Sequence, residues 1–148
     1  MFKSSIIFAS TCFLLFGFSL KQNNVKLIEA TSERWSSGQN GGGSGKEYTI
    51  KIKILSSAKI EFDSLWINNI SLSTFLANDG PAISSGPKNI SKNDIVIVRC
   101  TEINSVKNKT MKAPIKYKGE GLLRYFINQQ PNYIVIKKFK LIKNTNQP

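Results

Sequence analysis

The sequence contains no histidine, and this absence limits its chemistry more than any residue that is present. Histidine is the commonest general base and metal ligand, so serine–histidine and cysteine–histidine nucleophiles and the usual zinc sites are excluded. Acidic residues are also scarce, nine in 148 residues, and they are spread along the chain. The sequence therefore predicts no catalytic residue, no metal site and no cofactor, and we expect a protein that is not an enzyme.

Cysteine is almost as rare, with Cys12 and Cys100 as the two thiols. Cys12 falls in an apolar segment at the N-terminus, so the folded part should hold one thiol and no internal disulfide. Cys100 lies in a strand pattern, where a cysteine is typically an inert apolar residue. If the chain were nevertheless an enzyme, it would have to rely on Glu61, Asp63 or Cys100.

Glycine is concentrated in one place, since half of the ten glycines lie between Gly38 and Gly45. A phosphate-binding loop needs a glycine where Asn40 stands and a hydroxyl where Glu47 stands, and it leads into a helix. The segment after Gly45 alternates like a strand instead. We interpret residues 36–45 as a loop between two strands, with a ligand-contact loop beside Trp35 as the alternative.

One long apolar run, Ser4–Leu20, follows the positive charge of Lys3. A short basic segment and an apolar segment are the signature of a secretory signal peptide, and Gly17 and Ser19 fit cleavage after Ser19. We therefore expect a signal peptide at 1–19 and one domain at 20–148. The alternatives are a lipid anchor at Cys12 and an uncleaved membrane anchor. All three predict an exported protein that resides in the periplasm, at the cell surface or outside the cell.

Period-two alternation is the clearest pattern in the folded part, and it is strongest in Lys46–Leu55, where Tyr48, Ile50, Ile52 and Ile54 share one face. The pattern predicts an all-β fold with an ordered core at about 25–142: an antiparallel β-sandwich, Ig-like in the broad sense, of roughly seven to eight short strands. The predicted strands are Val25–Trp35, Lys46–Leu55, Lys59–Ile67, Ile70–Leu76, Asp94–Ile103, Ile115–Tyr117, Leu122–Asn128 and Tyr133–Ile142.

Four finer predictions accompany these strands. The apolar residues of Ser64–Ile67 no longer fit one face, which indicates a bulge or burial on both faces. The continuous run Ile95–Val98 indicates a strand buried on both faces. Gln129–Asn132 is predicted to be the loop of the last hairpin, and Ala77–Asn93 a long surface loop.

The net charge of +12 predicts an affinity for anionic partners, although it says nothing about the fold. Export argues against cytoplasmic nucleic acid, which leaves an acidic glycan, lipid headgroups or extracellular DNA. The alternative is that the lysines provide solubility and protect strand edges. The candidate contact surface comprises Trp35, Gly43, Lys51, Lys53, Lys137, Lys138 and Lys140.

Several segments also carry a family resemblance. Trp35 with its glycine loop, the run Ile60–Trp66, the run Tyr117–Gly121 and the spacing of Tyr133–Phe139 resemble small exported proteins of Bacteroidota, often predicted lipoproteins. That family is uncharacterised, so the resemblance implies an envelope location and no catalytic residue. We expect an exported cell-envelope protein that acts as a binding or structural module, with a polyanion binder as the alternative.

Overall fold

A computed structural model describes residues 24–38, 43–77, 90–104, 106 and 110–142. These residues form nine strands and no helix. None of them belongs to a helix long and apolar enough to cross a membrane. The predicted signal segment and most of the predicted 77–93 loop lie outside the described residues. The strands are β1 Val25–Ser36, β2 Ser44–Ile54, β3 Ile60–Ile67, β4 Ile70–Ser73, β5 Phe75–Ala77, β6 Ile95–Ile103, β7 Gly121–Ile127, β8 Gln130–Ile136 and β9 Lys140–Ile142.

The strands form two sheets. Sheet A has the order β5-β6-β2-β1-β9, and sheet B has the order β4-β3-β7-β8. Every neighbouring pair is antiparallel except β1 and β9, which run parallel. The two sheets pack face to face around one apolar core. The predicted antiparallel β-sandwich is therefore confirmed.

Strand β2 shows why the sheets pack in this way. Tyr48, Ile50, Ile52 and Ile54 are buried, whereas the residues between them are partly exposed, as the alternation predicted. Side chains from both sheets join them in the core, and burying one aliphatic side chain of this size stabilises a fold by roughly 1.5–3 kcal/mol. The fully buried core members are Ile50, Ile52, Ile54, Leu65, Val98, Cys100, Leu123 and Ile136.

The two strands with continuous apolar runs behave differently. In β3 the register against β7 shifts between Phe62 and Ser64, so the predicted bulge is confirmed, and Leu65, Trp66 and Ile67 after it are all buried. In β6 the prediction of burial on both faces is only partly right. Ile97 is buried on the outer face of sheet A, but Ile95 on the same face is 61% exposed.

Two predicted strands are each divided in the structure, and one predicted loop lies earlier in the chain than the sequence suggested. Ile70–Leu76 is two strands in different sheets, because the chain leaves β4 at Thr74, whose N–H donates to the Asp63 carbonyl. Tyr133–Ile142 is also divided, since residues 137–139 connect β8 in sheet B to β9 in sheet A. The predicted loop Gln129–Asn132 is wrong in its position, because β8 already begins at Gln130. The hairpin turns at Asn128 and Gln129, whose φ angles of 47° and 68° are left-handed.

Residues 110–120 form a covering segment over the outer face of sheet B, and the predicted strand Ile115–Tyr117 is wrong. The segment starts at the β4 edge, where the Met111 N–H donates to the Asn69 carbonyl (3.0 Å), and ends at the β8 edge, where the Glu120 N–H donates to the Ile136 carbonyl (2.9 Å). Between them the Tyr117 hydroxyl donates to the Trp66 carbonyl (3.5 Å). Trp66 therefore lies on an outer face and is still only 1% exposed.

Candidate functional site

Trp35 and Gly43 flank the predicted glycine loop at one end of sheet A. Trp35 pairs with Gly45 across β1 and β2, and a Cβ atom on Gly45 would stand 3.0 Å from the indole ring and 2.0 Å from the Glu102 carbonyl oxygen. Only glycine fits there, because the ring lies across the backbone. The Ser37 N–H donates to the Gly43 carbonyl (3.0 Å), which joins the two arms before residues 39–42, outside the described residues.

The two tryptophans do not meet. By strand alternation Trp35 lies on the outer face of sheet A, while Trp66 lies under the covering segment on the outer face of sheet B. Neither belongs to the core between the sheets. The stretch from Trp35 to Trp66 therefore runs from the outer face of sheet A to the outer face of sheet B, and its two indole rings do not pack together in the core.

The predicted lysine surface is only partly assembled. Lys51 and Lys53 project from the outer face of β2, and Lys140 joins that face through its pairing with Thr31 of β1. Lys51 is neutralised locally, because its Nζ lies 3.7 Å from a carboxylate oxygen of Glu29. The same face carries a second pair, Arg99 with Glu47 at 3.6 Å.

Lys137 and Lys138 lie in the connection that leads into β9, and both are exposed. Neither they, nor Lys53, nor Lys140, form an ion pair with an acidic residue of the described ranges. These four lysines are the part of the predicted contact surface whose charge is not offset by a close carboxylate.

The outer face of sheet B holds a cluster that the sequence did not indicate. The Arg124 Nε donates to the Asp63 carboxylate (2.7 Å), and the same carboxylate accepts from Nη2. The guanidinium carbon lies 4.9 Å from the Trp66 ring centroid and 5.3 Å from that of Phe126. An arginine between two rings contributes a cation–π attraction, and its paired carboxylate fixes its orientation. We call these four residues the arginine cluster.

The arginine cluster was missed for a physical reason. The pairing of Asp63 with Arg124 depends on the register between β3 and β7, which shifts between Phe62 and Ser64, so the sequence did not bring the two residues together. A usable signal was present in β7, where Leu122, Arg124 and Phe126 share one parity. That parity places an arginine and an aromatic ring together on one sheet face.

Beside the arginine cluster lies a cleft of about 300 Å³, lined by Lys59, Glu61, Phe126, Asn128 and Gln129. The Lys59 Nζ lies 2.6 Å from a Glu61 carboxylate oxygen, so the two charges offset each other. The two amide residues form the left-handed turn of the β7–β8 hairpin, and the Asn128 N–H donates to the Lys59 carbonyl (3.4 Å). The floor of the cleft thus presents one aromatic ring among polar side chains.

The three groups on which an enzyme would have to rely are all engaged or inaccessible. Cys100 is fully buried, and burial raises the pKa of its thiol to about 12, which removes the nucleophilic thiolate at neutral pH. Glu61 pairs with Lys59, and Asp63 pairs with Arg124. The described residues contain no group of three or more side chains able to hold a metal ion.

Two further polar groups lie inside the sandwich. The Tyr48 hydroxyl donates to a Glu102 carboxylate oxygen (3.0 Å), and burial, together with that carboxylate, raises the pKa of Tyr48. The Phe139 ring packs against Tyr48 at 5.1 Å, and the Phe139 N–H donates to the Glu120 carboxylate (2.7 Å). These contacts connect the segment that leads into the last strand to the core.

No protein-family model, no curated protein and no solved structure matches this chain significantly. The resemblance to small exported proteins of Bacteroidota therefore stays a prediction.

Proposed function

We propose that this chain is an exported, non-enzymatic binding module of the cell envelope. The observation that carries the proposal is the part of the outer face of sheet B around Arg124 and Phe126. There the guanidinium, oriented by Asp63, and the aromatic ring are both partly exposed, and they adjoin a cleft lined by that ring and by polar side chains. Binding groups held on strands are positioned more accurately than those on loops, and this favours recognition as the role of the face.

The state of Cys100, Glu61 and Asp63 supports the non-enzymatic part of the proposal. A catalytic carboxylate pair needs one member with a raised pKa and room for a reacting atom between the two. Glu61 and Asp63 each hold a cation instead, and the thiol of Cys100 is closed off by the core.

The strand order supports an Ig-like architecture, which we propose as the finer description of the sandwich. If β1 to β8 are lettered A, B, C, C′, D, E, F and G, the sheets become D-E-B-A, with β9 as an additional strand beside A, and C′-C-F-G. That is the arrangement of immunoglobulin-type sandwiches, without their cysteine–tryptophan–cysteine core. Domains of this architecture serve as scaffolds for many recognition surfaces, so the order agrees with a binding role and does not by itself specify one.

The export part of the proposal is supported by the basic and apolar N-terminal sequence. Mass spectrometry of the protein recovered from fractionated producing cells tests it. We expect the protein in the fraction from outside the cytoplasmic membrane, as a mature chain whose first residue follows Ser19. A mass with a lipid on Cys12 would keep the export and change the anchor, whereas an intact N-terminus in the cytoplasm would refute the export.

A polyanion binder is the second candidate function. It is favoured by the lysines of the predicted contact surface that form no ion pair with an acidic residue of the described ranges, namely Lys53, Lys137, Lys138 and Lys140. Its partner would be an acidic glycan, lipid headgroups or extracellular DNA, and its affinity would fall steeply with salt.

A further inference from the structure

We infer that the cleft between β3 and β7 is a binding site for a neutral saccharide. The inference rests on the proposed binding function and deepens it by naming the site and the ligand class. The site consists of Phe126, the Lys59–Glu61 pair and the turn residues Asn128 and Gln129.

The charges of the lining give no net attraction for an ionic ligand. The ammonium of Lys59 and the carboxylate of Glu61 are 2.6 Å apart, so an anion or a cation in the cleft would meet an equal and opposite pair. Both side chains are largely exposed, so water also screens their charges. The neighbouring Arg124 is held by Asp63 in the same way. The cleft is therefore built for a neutral molecule.

The polar groups of the lining exclude a purely apolar ligand. Two amides, one ammonium and one carboxylate surround a single ring, and an apolar ligand would leave their donors and acceptors unpaired. A sugar ring presents hydroxyl groups that both donate and accept, and its C–H face is apolar. The hydroxyls match the side chains of Lys59, Glu61, Asn128 and Gln129, while the C–H face can lie on the ring of Phe126.

The position of the cleft argues against a peptide. An extended peptide usually binds by adding a strand to a free sheet edge. The cleft lies instead on the outer face of the β3–β7 pair, where Glu61 and Phe126 stand opposite each other in the register, and its lining side chains project from that face rather than along a backbone edge. Its volume of about 300 Å³ is at the lower end of small-molecule sites, which suits a short oligosaccharide lying partly in the open.

The lining is also fixed before a ligand arrives. Asn128 and Gln129 adopt the left-handed φ angles of a tight hairpin turn, so their side chains leave a rigid backbone. The Phe126 ring is held by the Arg124 guanidinium at 5.3 Å. A prepared site loses less conformational entropy on binding, which matters for a ligand with few apolar contacts.

The test is a titration of the ¹⁵N-labelled full chain, as recovered from producing cells, with neutral oligosaccharides of glucose, galactose, mannose and N-acetylglucosamine, followed by NMR. We expect one of them to shift the amide signals of Phe126, Asn128 and Gln129 with an affinity that salt does not change. Phe126→Ala and Glu61→Gln should each weaken that affinity by at least ~10-fold. Phe75→Ala is the matched control, because Phe75 is a half-exposed phenylalanine on the outer face of sheet A and should change the affinity by less than about two-fold.

The site assignment would be overturned if no oligosaccharide shifted these signals, if the shifts fell on Lys51 and Lys53, or if Glu61→Gln left the affinity unchanged. Glu61→Gln keeps the fold even where Phe126→Ala does not, since its side chain is largely exposed. Cleavage of the bound oligosaccharide would instead refute the non-enzymatic function and leave the site in place. Binding of heparin alone, lost in high salt, would favour the lysine surface and refute the cleft.

Discussion

The outer faces of the two sheets pair their charged side chains in different ways. On sheet A, cations and carboxylates alternate across strands, and the pairs Lys51–Glu29 and Arg99–Glu47 are 3.7 and 3.6 Å long and solvent-exposed. On sheet B, one cation lies between two rings and holds one carboxylate, and the covering segment crosses the face at Trp66. The comparison shows that a strongly basic composition does not locate a site. The outer face of sheet B has fewer lysines, but it is the face with a cleft, aromatic rings and an arginine held in a fixed orientation.

The largest difference between the faces should appear when each tryptophan is removed. Trp66→Ala should lower the free energy of unfolding by about 3–5 kcal/mol, because an almost fully buried indole leaves a cavity under the covering segment. Trp35→Ala should cost about 1 kcal/mol, because its ring is partly exposed and covers one glycine. Urea denaturation measures both. Equal losses would show that the covering segment contributes nothing to the burial of Trp66.

The ion pairs of the two faces should differ next. A double-mutant cycle with Arg124→Met and Asp63→Asn should give a coupling free energy of about 1 kcal/mol, reduced from that of a buried pair because both groups are partly exposed. The matched cycle with Lys51→Met and Glu29→Gln should give about 0.3 kcal/mol and vanish in high salt. Coupling that is equal in the two cycles would contradict the distinction between an oriented and a loose pair.

High pH offers a comparison of the inner faces, since sheet A contributes Tyr48 and sheet B contributes Tyr125 to the core. Burial raises the pKa of both tyrosines, and the Glu102 carboxylate raises that of Tyr48 further. Below pH ~10 both tyrosines stay protonated whether the chain is folded or unfolded. Above that pH the unfolded chain releases protons that the folded chain keeps, so stability falls as pH rises.

Tyr48→Phe should therefore flatten the alkaline loss of stability more than Tyr125→Phe does. The measurement is the urea midpoint of each variant at neutral and at alkaline pH. Buried Cys100 adds to the same slope, because burial raises its pKa to about 12, and Cys100→Ser serves as the third arm. A steeper slope in Tyr48→Phe would contradict the direction of its pKa shift.

The smallest effect is expected from the lysines. If the chain binds polyanions, Lys137→Gln combined with Lys138→Gln and Lys140→Gln should shorten retention on heparin, because these charges have no close carboxylate. Lys51→Gln should change it less, since Glu29 already offsets that charge. Retention is read as the salt concentration at elution. A larger effect of Lys51→Gln would indicate that the polyanion binds at the middle of β2 instead.

Much of the fold could be predicted because the strands obey a local rule. The alternation in β2 fixes which side chains face the core, and the loss of alternation at Ser64–Ile67 indicated the bulge of β3. What could not be predicted depends on distant parts of the chain. Thr74 divides one apparent strand between two sheets, and only the packing of both sheets decides that.

The candidate site was harder to predict than the fold for the same reason. Its residues come from β3 and β7, and the register that sets them side by side, with its shift between Phe62 and Ser64, depends on both strands. The lysines were visible in the sequence, but the carboxylate beside Lys51 comes from another strand. Charged residues can be counted in a sequence, whereas the carboxylates that offset a given lysine are known only from the residues that lie beside it in the structure.

The parallel pairing of β1 with β9 has a consequence for the time course of folding. The first strand of the sandwich gains its outer neighbour only when Lys140–Ile142, near the end of the chain, has been synthesised. Hairpins such as β7–β8 close within microseconds, but a pairing between the two ends waits for the slowest loop closure. Until then the edge of β1 stays open to other chains, and its closure by β9 is the step that completes the domain.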